Sequence, residues 1–360
     1  MKTRRNGWTL RLFAMVLASG STRLLLLAAI FGAPNPLRAL TPTSVPVHSL
    51  ATGSSFPDTV KLNNIVVDET RRRAYFGGSL ARYLNILDMD TLQIVGTIDS
   101  QIDGFVARFL RVNPSTGILY MFVLEASKLF RIDPVSGSVS SPITVGRLPA
   151  FHTSTNRLYI SEAPDKVRIY DDLLQAVDVI TGVTAPGELF IDSAQGKLYV
   201  LNAVSPPQAG VSVYDIATKA FLRKYNMPVG FDGIPKGIHV AGGKIYVNGN
   251  TIKHSLSIID EASGVGTHIP LSESGLWMDR YGGKLYQMTG YPYYAGYLPS
   301  ADGSYGVIEV RDAVTGVKES DVFADLESLY FNIDHSTGRL FYTATGRGTV
   351  GVLRLSDYAT

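Results

Sequence analysis

One segment of this chain recurs seven times, and that recurrence limits the fold more than any other feature. Each copy holds an apolar run, a turn opened by Asp or Asn, a basic residue, and a second apolar run built around an aromatic. The aromatic is Tyr75, Tyr120, Tyr159, Tyr199, Tyr246, Tyr286 and finally Phe341, at spacings of 45, 39, 40, 47, 40 and 55 residues. Two positions before it stand Arg73, Ile118, Arg157, Lys197, Lys244, Lys284 and Arg339; seven positions before it stand Asp68, Asn113, His152, Asp192, His239, Asp279 and Asp334. Asp and Asn open tight turns because their side chains bond their own backbone. Glycines such as Gly117 and Gly243 then supply positive φ without steric cost. By their place in the alignment, His152 and His239 read as turn residues doing the work of Asp.

A third run in each copy ends in a second Asp turn, at Asp88, Asp133, Asp171, Asp215, Asp260 and Asp312, with Ser356 in the last copy. Several carry Thr or Ser three positions on, as in Asp215-Ile-Ala-Thr218. A fourth run closes each unit. Four short strands every forty-odd residues are the mark of a propeller blade, so the expectation is an all-β, seven-bladed β-propeller with four-stranded antiparallel blades. The seventh copy reaches Thr360 just after its third strand. The alternating segment Ser44–Leu50 is predicted to complete that blade and close the ring.

The leader reads differently. Lys2, Arg4, Arg5, Arg11, Arg23 and Arg38 precede the first acidic residue, Asp58, and an apolar stretch runs from Leu12 to Ala33. A basic start, an apolar centre and a small-residue exit make residues 1–39 a secretory signal peptide, with the propeller at 40–360 exported to the periplasm or beyond. Arg23 splits the apolar stretch, which argues against a membrane anchor and leaves no span in the mature chain. Removing six basic residues leaves 27 basic against 31 acidic, a net charge near −4, so nothing favours a nucleic-acid partner. The absence of cysteine excludes a disulfide scaffold, a thiolate metal site and a cysteine nucleophile.

The phrase Asn113-Pro-Ser-Thr-Gly-Ile-Leu-Tyr120, followed by Phe130-Arg-Ile-Asp133, resembles the YVTN-type propeller repeat of secreted and cell-surface prokaryotic proteins. Tyr199-Val-Leu-Asn202 and Tyr246-Val-Asn248 approach the tetrapeptide most nearly. The resemblance spans roughly residues 60 to 360 and implies the fold; relatives of that group include binding modules, lactone hydrolases and amine dehydrogenase heavy subunits.

No hydrolase elbow, P-loop or HExxH spacing occurs. The candidate recognition features are therefore two. A Gly/Pro-rich insertion in blade six carries Tyr291, Tyr293, Tyr294, Tyr297 and Tyr305, rigid amphipathic contacts suited to a recognition loop. Counting back along the first strands places Asn63, Asn64, Arg108, Arg147, Glu188, Lys236, Glu273 and Glu327 near the channel mouth. Arg108 and Arg147 suit a carboxylate or phosphate. Asn63, Glu188, Glu273 and Glu327 offer oxygen to Ca²⁺ or Mg²⁺, although no cofactor is required by the pattern. The expected protein is a monomeric binding module for a small molecule or protein. A metal-dependent lactonase-like hydrolase and a propeller subunit of an oxidoreductase are the alternatives.

Overall fold

The computed structural model describes residues 43–46, 62–78, 82–102, 108–249, 255–271, 275–289, 307–323, 328–344 and 349–358. Their strands form seven separate four-stranded antiparallel sheets, each a meander of consecutive strands except the last. The protein is a seven-bladed β-propeller, and the repeat spacing was a correct guide to it. Among the described residues there is no α-helix, only a 3₁₀ turn at Leu355–Tyr358, and no helix long and apolar enough to cross a membrane. Residues Pro42–Thr360 make up the propeller unit.

The seventh sheet is closed from the N-terminal side. Its outer strand is Thr43–Pro46, which pairs antiparallel with Thr349–Arg354, Thr43 opposite Val352 and Pro46 opposite Thr349. The expected closing segment is therefore present, in the register its first residues allow; Val47–Leu50 lies outside the described residues.

There is no single core. Apolar side chains fill the interfaces between successive blades, because each sheet has two faces and alternate residues of every inner strand serve opposite neighbours. Ala74 and Phe76 pack with Phe341 and Val352 of blade seven, whereas Tyr75 between them packs with Leu110, Leu119 and Met121 of blade two. Every repeat aromatic behaves as Tyr75 does and faces the following blade. In three blades the tyrosine hydroxyl then reaches the second Asp turn of that following blade. Tyr120 Oη donates to Asp172 Oδ1 at 2.7 Å, Tyr199 Oη to Glu261 Oε1 at 2.8 Å and Tyr246 Oη to the Ala313 carbonyl at 2.6 Å. The basic residue two positions earlier divides between two routes: Lys197 Nζ meets Glu261 of the next blade at 2.6 Å and Arg339 Nη1 donates to the Met89 carbonyl at 2.5 Å, whereas Lys244 pairs with Asp260 of its own blade at 2.8 Å.

The second Asp turns are held as the Asp-x-x-Thr spacing requires. Asp215 Oδ1 accepts from both the amide and the hydroxyl of Thr218 at 2.7 Å, and Asp312 does the same with Thr315 at 2.7 and 2.8 Å. Those bonds hold the carboxyl of Asp215 and of Asp312 below the usual range.

Candidate functional site

The first strands, Leu62–Asp68, Arg108–Val112, Ala150–His152, Pro186–Asp192, Pro235–Ala241, Gly275–Tyr281 and Ser328–Asp334, surround the propeller axis. In each, one residue stands directly opposite the repeat aromatic of the second strand. These residues are Val66, Arg111, Ala150, Phe190, His239, Asp279 and Asn332. All seven line one cavity of about 700 Å³ in the channel. The cavity also takes in Glu188, Leu189, Phe331 and residues of the first turns such as Thr153, Ser193 and His335, so it opens on the face that carries those turns.

This corrects the sequence assignment of His239 and Asp279. In blade one the first turn lies between Asp68 and Arg73, but in blades five and six it is closed by Ala241 with Lys244 and by Tyr281 with Lys284. Only Gly242-Gly243 and Gly282-Gly283 remain inside, all four with φ between 57° and 79°, the two-residue turn that demands such residues. With two residues removed, a fixed count back from the tyrosine lands inside the strand rather than in the turn. His152, by contrast, is a turn residue as expected: it pairs with Arg157, and its ring nitrogens meet Thr155 Oγ1 at 2.6 Å and Ser154 Oγ at 3.0 Å.

Two charged walls face the cavity. On one, Arg111 Nη2 of blade two and Glu188 Oε1 of blade four stand 3.7 Å apart. Burial pushes the Glu188 carboxyl up, opposed by the charges of Arg111 and Arg147 and by the Ile238 amide; burial likewise pushes the Arg111 guanidinium down, opposed by Glu188. On the other wall, His335 from the first turn of blade seven donates from Nε2 to Asp279 Oδ1 and from Nδ1 to Glu69 Oε1, both at 3.0 Å. Its own backbone amide also bonds Glu69 at 2.9 Å. Bonds to Asp279 and Glu69 raise the His335 pKa to about 10, so it is an imidazolium, and the bond to His335 lowers Glu69. His239 Nε2 lies 4.0 Å from the same Asp279 oxygen, with its ring edge-on to Phe190, and burial keeps it neutral. Val66, Phe190 and Phe331 add apolar lining to the same cavity. A concave, largely apolar site with a few convergent polar groups can hold and orient a small polar molecule.

The sequence candidates distribute unevenly over this site. Glu188 lines it. Arg147 and Lys236 are exposed and are not among its lining residues. Asn63 and Arg108 lie in first strands, but their side chains are outside the described atoms, as are Glu273, Glu327 and the loop holding Tyr291, Tyr293, Tyr294 and Tyr297 in their entirety. One physical cause of the miscount is visible. The first strands of blades one, four, five, six and seven each carry a β-bulge, between Leu62 and Asn64, Pro186 and Leu189, Pro235 and Gly237, Gly275 and Trp277, and Ser328 and Phe331. Such a shift breaks a fixed count back from the turn: Lys236 and Glu188 both lie within one, Lys236 exposed and Glu188 lining the cavity. Arg111, His239, Asp279, Asn332 and His335 line the cavity and were missed as site residues; Glu69 acts through its bond to His335. The signal that finds the ring members is the residue opposite each repeat aromatic, once turn length is counted.

No protein family's sequence pattern matches this chain, and no curated protein matches it. Solved structures do match. A chain of a structure titled Kuenenia stuttgartiensis Hydrazine Synthase superposes with a TM-score of 0.64 at 13% identity, covering 86% of this chain and 99% of the other. A chain of a structure titled Crystal Structure of Mitotic Checkpoint Complex superposes with a TM-score of 0.62 at 12% identity, covering 89% and 96%. At such identity the likeness is one of fold, and the two titles name an enzyme and a protein assembly, so fold alone does not select an activity.

Proposed function

We propose that this chain is an exported propeller that binds a small polar molecule in its central channel, with the tyrosine loop of blade six forming part of its recognition surface. The observation that carries the reading is the seven-residue ring. Positions that share one place in the repeat, and therefore one backbone environment, hold Val, Arg, Ala, Phe, His, Asp and Asn. A ring serving only to fill the channel would repeat its residue type as the tyrosine slot does. Export rests on the basic, apolar leader, and the loop's part rests on its composition.

The metal-hydrolase alternative is less well supported, because the one described carboxylate it would use, Glu188, has a guanidinium 3.7 Å away that opposes a cation there. The oxidoreductase-subunit alternative has no observation in its favour.

The test is a thermal-shift screen of metabolites against the full chain and against Ala150→Phe, which fills the channel above blade three. Binding is expected from at least one polar compound and only in the unblocked protein. Compounds that shift both proteins equally would remove the channel from consideration.

A further inference from the structure

We propose that the arc formed by His239, Asp279 and Asn332 is a monosaccharide site, the three side chains meeting adjacent hydroxyls of one neutral sugar ring. The inference rests on the reading of the channel as a small-molecule site and names what that site takes.

Placement is the first argument. Blades five, six and seven are consecutive, and these residues hold the same ring position in them, opposite Tyr246, Tyr286 and Phe341. All three line the cavity, whose volume of about 700 Å³ is that of a small-molecule cleft.

The second argument is unspent hydrogen-bonding capacity. Asp279 receives His335 Nε2 at 3.0 Å and the Arg280 amide at 2.7 Å, both on Oδ1; its Oδ2 has no partner among the described residues. Asn332 Oδ1 accepts the Val67 amide at 3.2 Å, which orients the side chain and leaves the Nδ2 donor without a partner among the described residues. His239 makes no hydrogen bond among the described residues, since its Nε2 stands 4.0 Å from Asp279, too far for one. A neutral imidazole offers one donor and one acceptor. The arc therefore presents an acceptor, a donor and a group that is both. A hydroxyl matches all three, because it donates to the carboxylate, accepts from the amide and does either with the imidazole. A ring with hydroxyls on neighbouring carbons can meet neighbouring blades with one each.

The third argument is charge. Asp279 and Glu69 are countered by the His335 imidazolium between them and by Arg280, whose guanidinium packs against Gly242 and bears on His239. Two cations against two carboxylates leave this wall without net charge, so neither a free acid nor a free amine gains an unbalanced opposite charge there. Phe190, edge-on to His239 with centroids 5.4 Å apart, and Phe331, beside Asn332 in sequence, offer apolar surface to the carbon–hydrogen face of a sugar.

Isothermal titration of the full chain with D-glucose, D-galactose and D-mannose tests this, each compared with its uronate and its 2-amino-2-deoxy counterpart. At least one neutral sugar is expected to bind, roughly tenfold or more tightly than either charged counterpart, the effect of one mismatched polar group. His239→Phe should weaken that sugar by a similar factor. Asp279→Asn leaves the wall with one positive charge in excess, so it should weaken the neutral sugar and tighten its uronate; a structural role alone would not produce that opposite movement. Circular dichroism and melting confirm that the variants are folded, and His239→Phe decides alone if Asp279→Asn is not. Equal binding of the neutral sugar and its charged counterparts, or wild-type affinity in His239→Phe, overturns the proposal. If no sugar binds but the metabolite screen finds a compound that Ala150→Phe blocks, the saccharide site falls and the channel reading stands. If that screen is empty as well, both fall.

Discussion

Tyr199 and Phe190 face each other across one pair of strands, yet they belong to two different regions of the molecule. Tyr199 represents the repeated positions, where an aromatic comes back in every blade and packs that blade against the next. Phe190 represents the ring, where Arg111, Ala150, His239 and Asp279 occupy equivalent places with unrelated chemistry. On the proposed reading, the positions that repeat carry assembly, while positions that share the same register but differ in residue type carry recognition. Repeat symmetry asks the same thing of every blade; a ligand on the axis does not.

The largest effect that would sharpen this contrast is expected at the closing seam. Asp334, fully buried, accepts from Ser336 Oγ at 2.5 Å and from Thr337 Oγ1, and takes Arg72 Nη1 of blade one at 2.8 Å. Asp334→Asn should cost about 3 kcal/mol, since it breaks a buried pair on one side only, as read by urea denaturation. Next comes Tyr199→Phe, which removes the bond to Glu261 and leaves Lys197 as that carboxylate's partner. A loss of about 1–2 kcal/mol is expected in the same assay.

A smaller effect depends on pH. The folded pKa of His335 is raised from 6.5 to about 10, so its contribution to stability is fully present below pH 6.5 and is lost as pH rises through about 10. The stability difference between the wild type and His335→Gln should therefore shrink between those limits; a difference that grew with pH would contradict the Glu69–His335–Asp279 arrangement. Smallest of all is the ring. His239→Gln should change stability by less than about 1 kcal/mol, because the imidazole is neutral and makes no close hydrogen bond to Asp279.

The fold was legible because its determinants are local and periodic. Asp-x-x-Thr turns, positive-φ glycines and a tyrosine at a near-constant spacing state the blade without reference to anything distant. Of the sequence candidates whose side chains are described, Glu188 lines the cavity. Arg111 and Glu188 are 77 residues apart and meet only when three blades have taken their places around the axis. His239 and Asp279 were concealed by a different cause, the two-residue turns at Gly242-Gly243 and Gly282-Gly283, which shift a fixed count by one full side-chain repeat of the strand. Periodicity survives such insertions and deletions; the facing of a side chain does not.

The central claim is that the ring's polar residues are there for a ligand and not for the fold. Chemical denaturation of Arg111→Met combined with Glu188→Leu tests it without any ligand. Replacing both members of a desolvated pair by apolar groups removes both charges together, so the account predicts a stability equal to the wild type or higher by up to about 2 kcal/mol. A loss of about 3 kcal/mol, as large as that expected of Asp334→Asn, would show the pair to be a brace between blades two and four and would contradict the account.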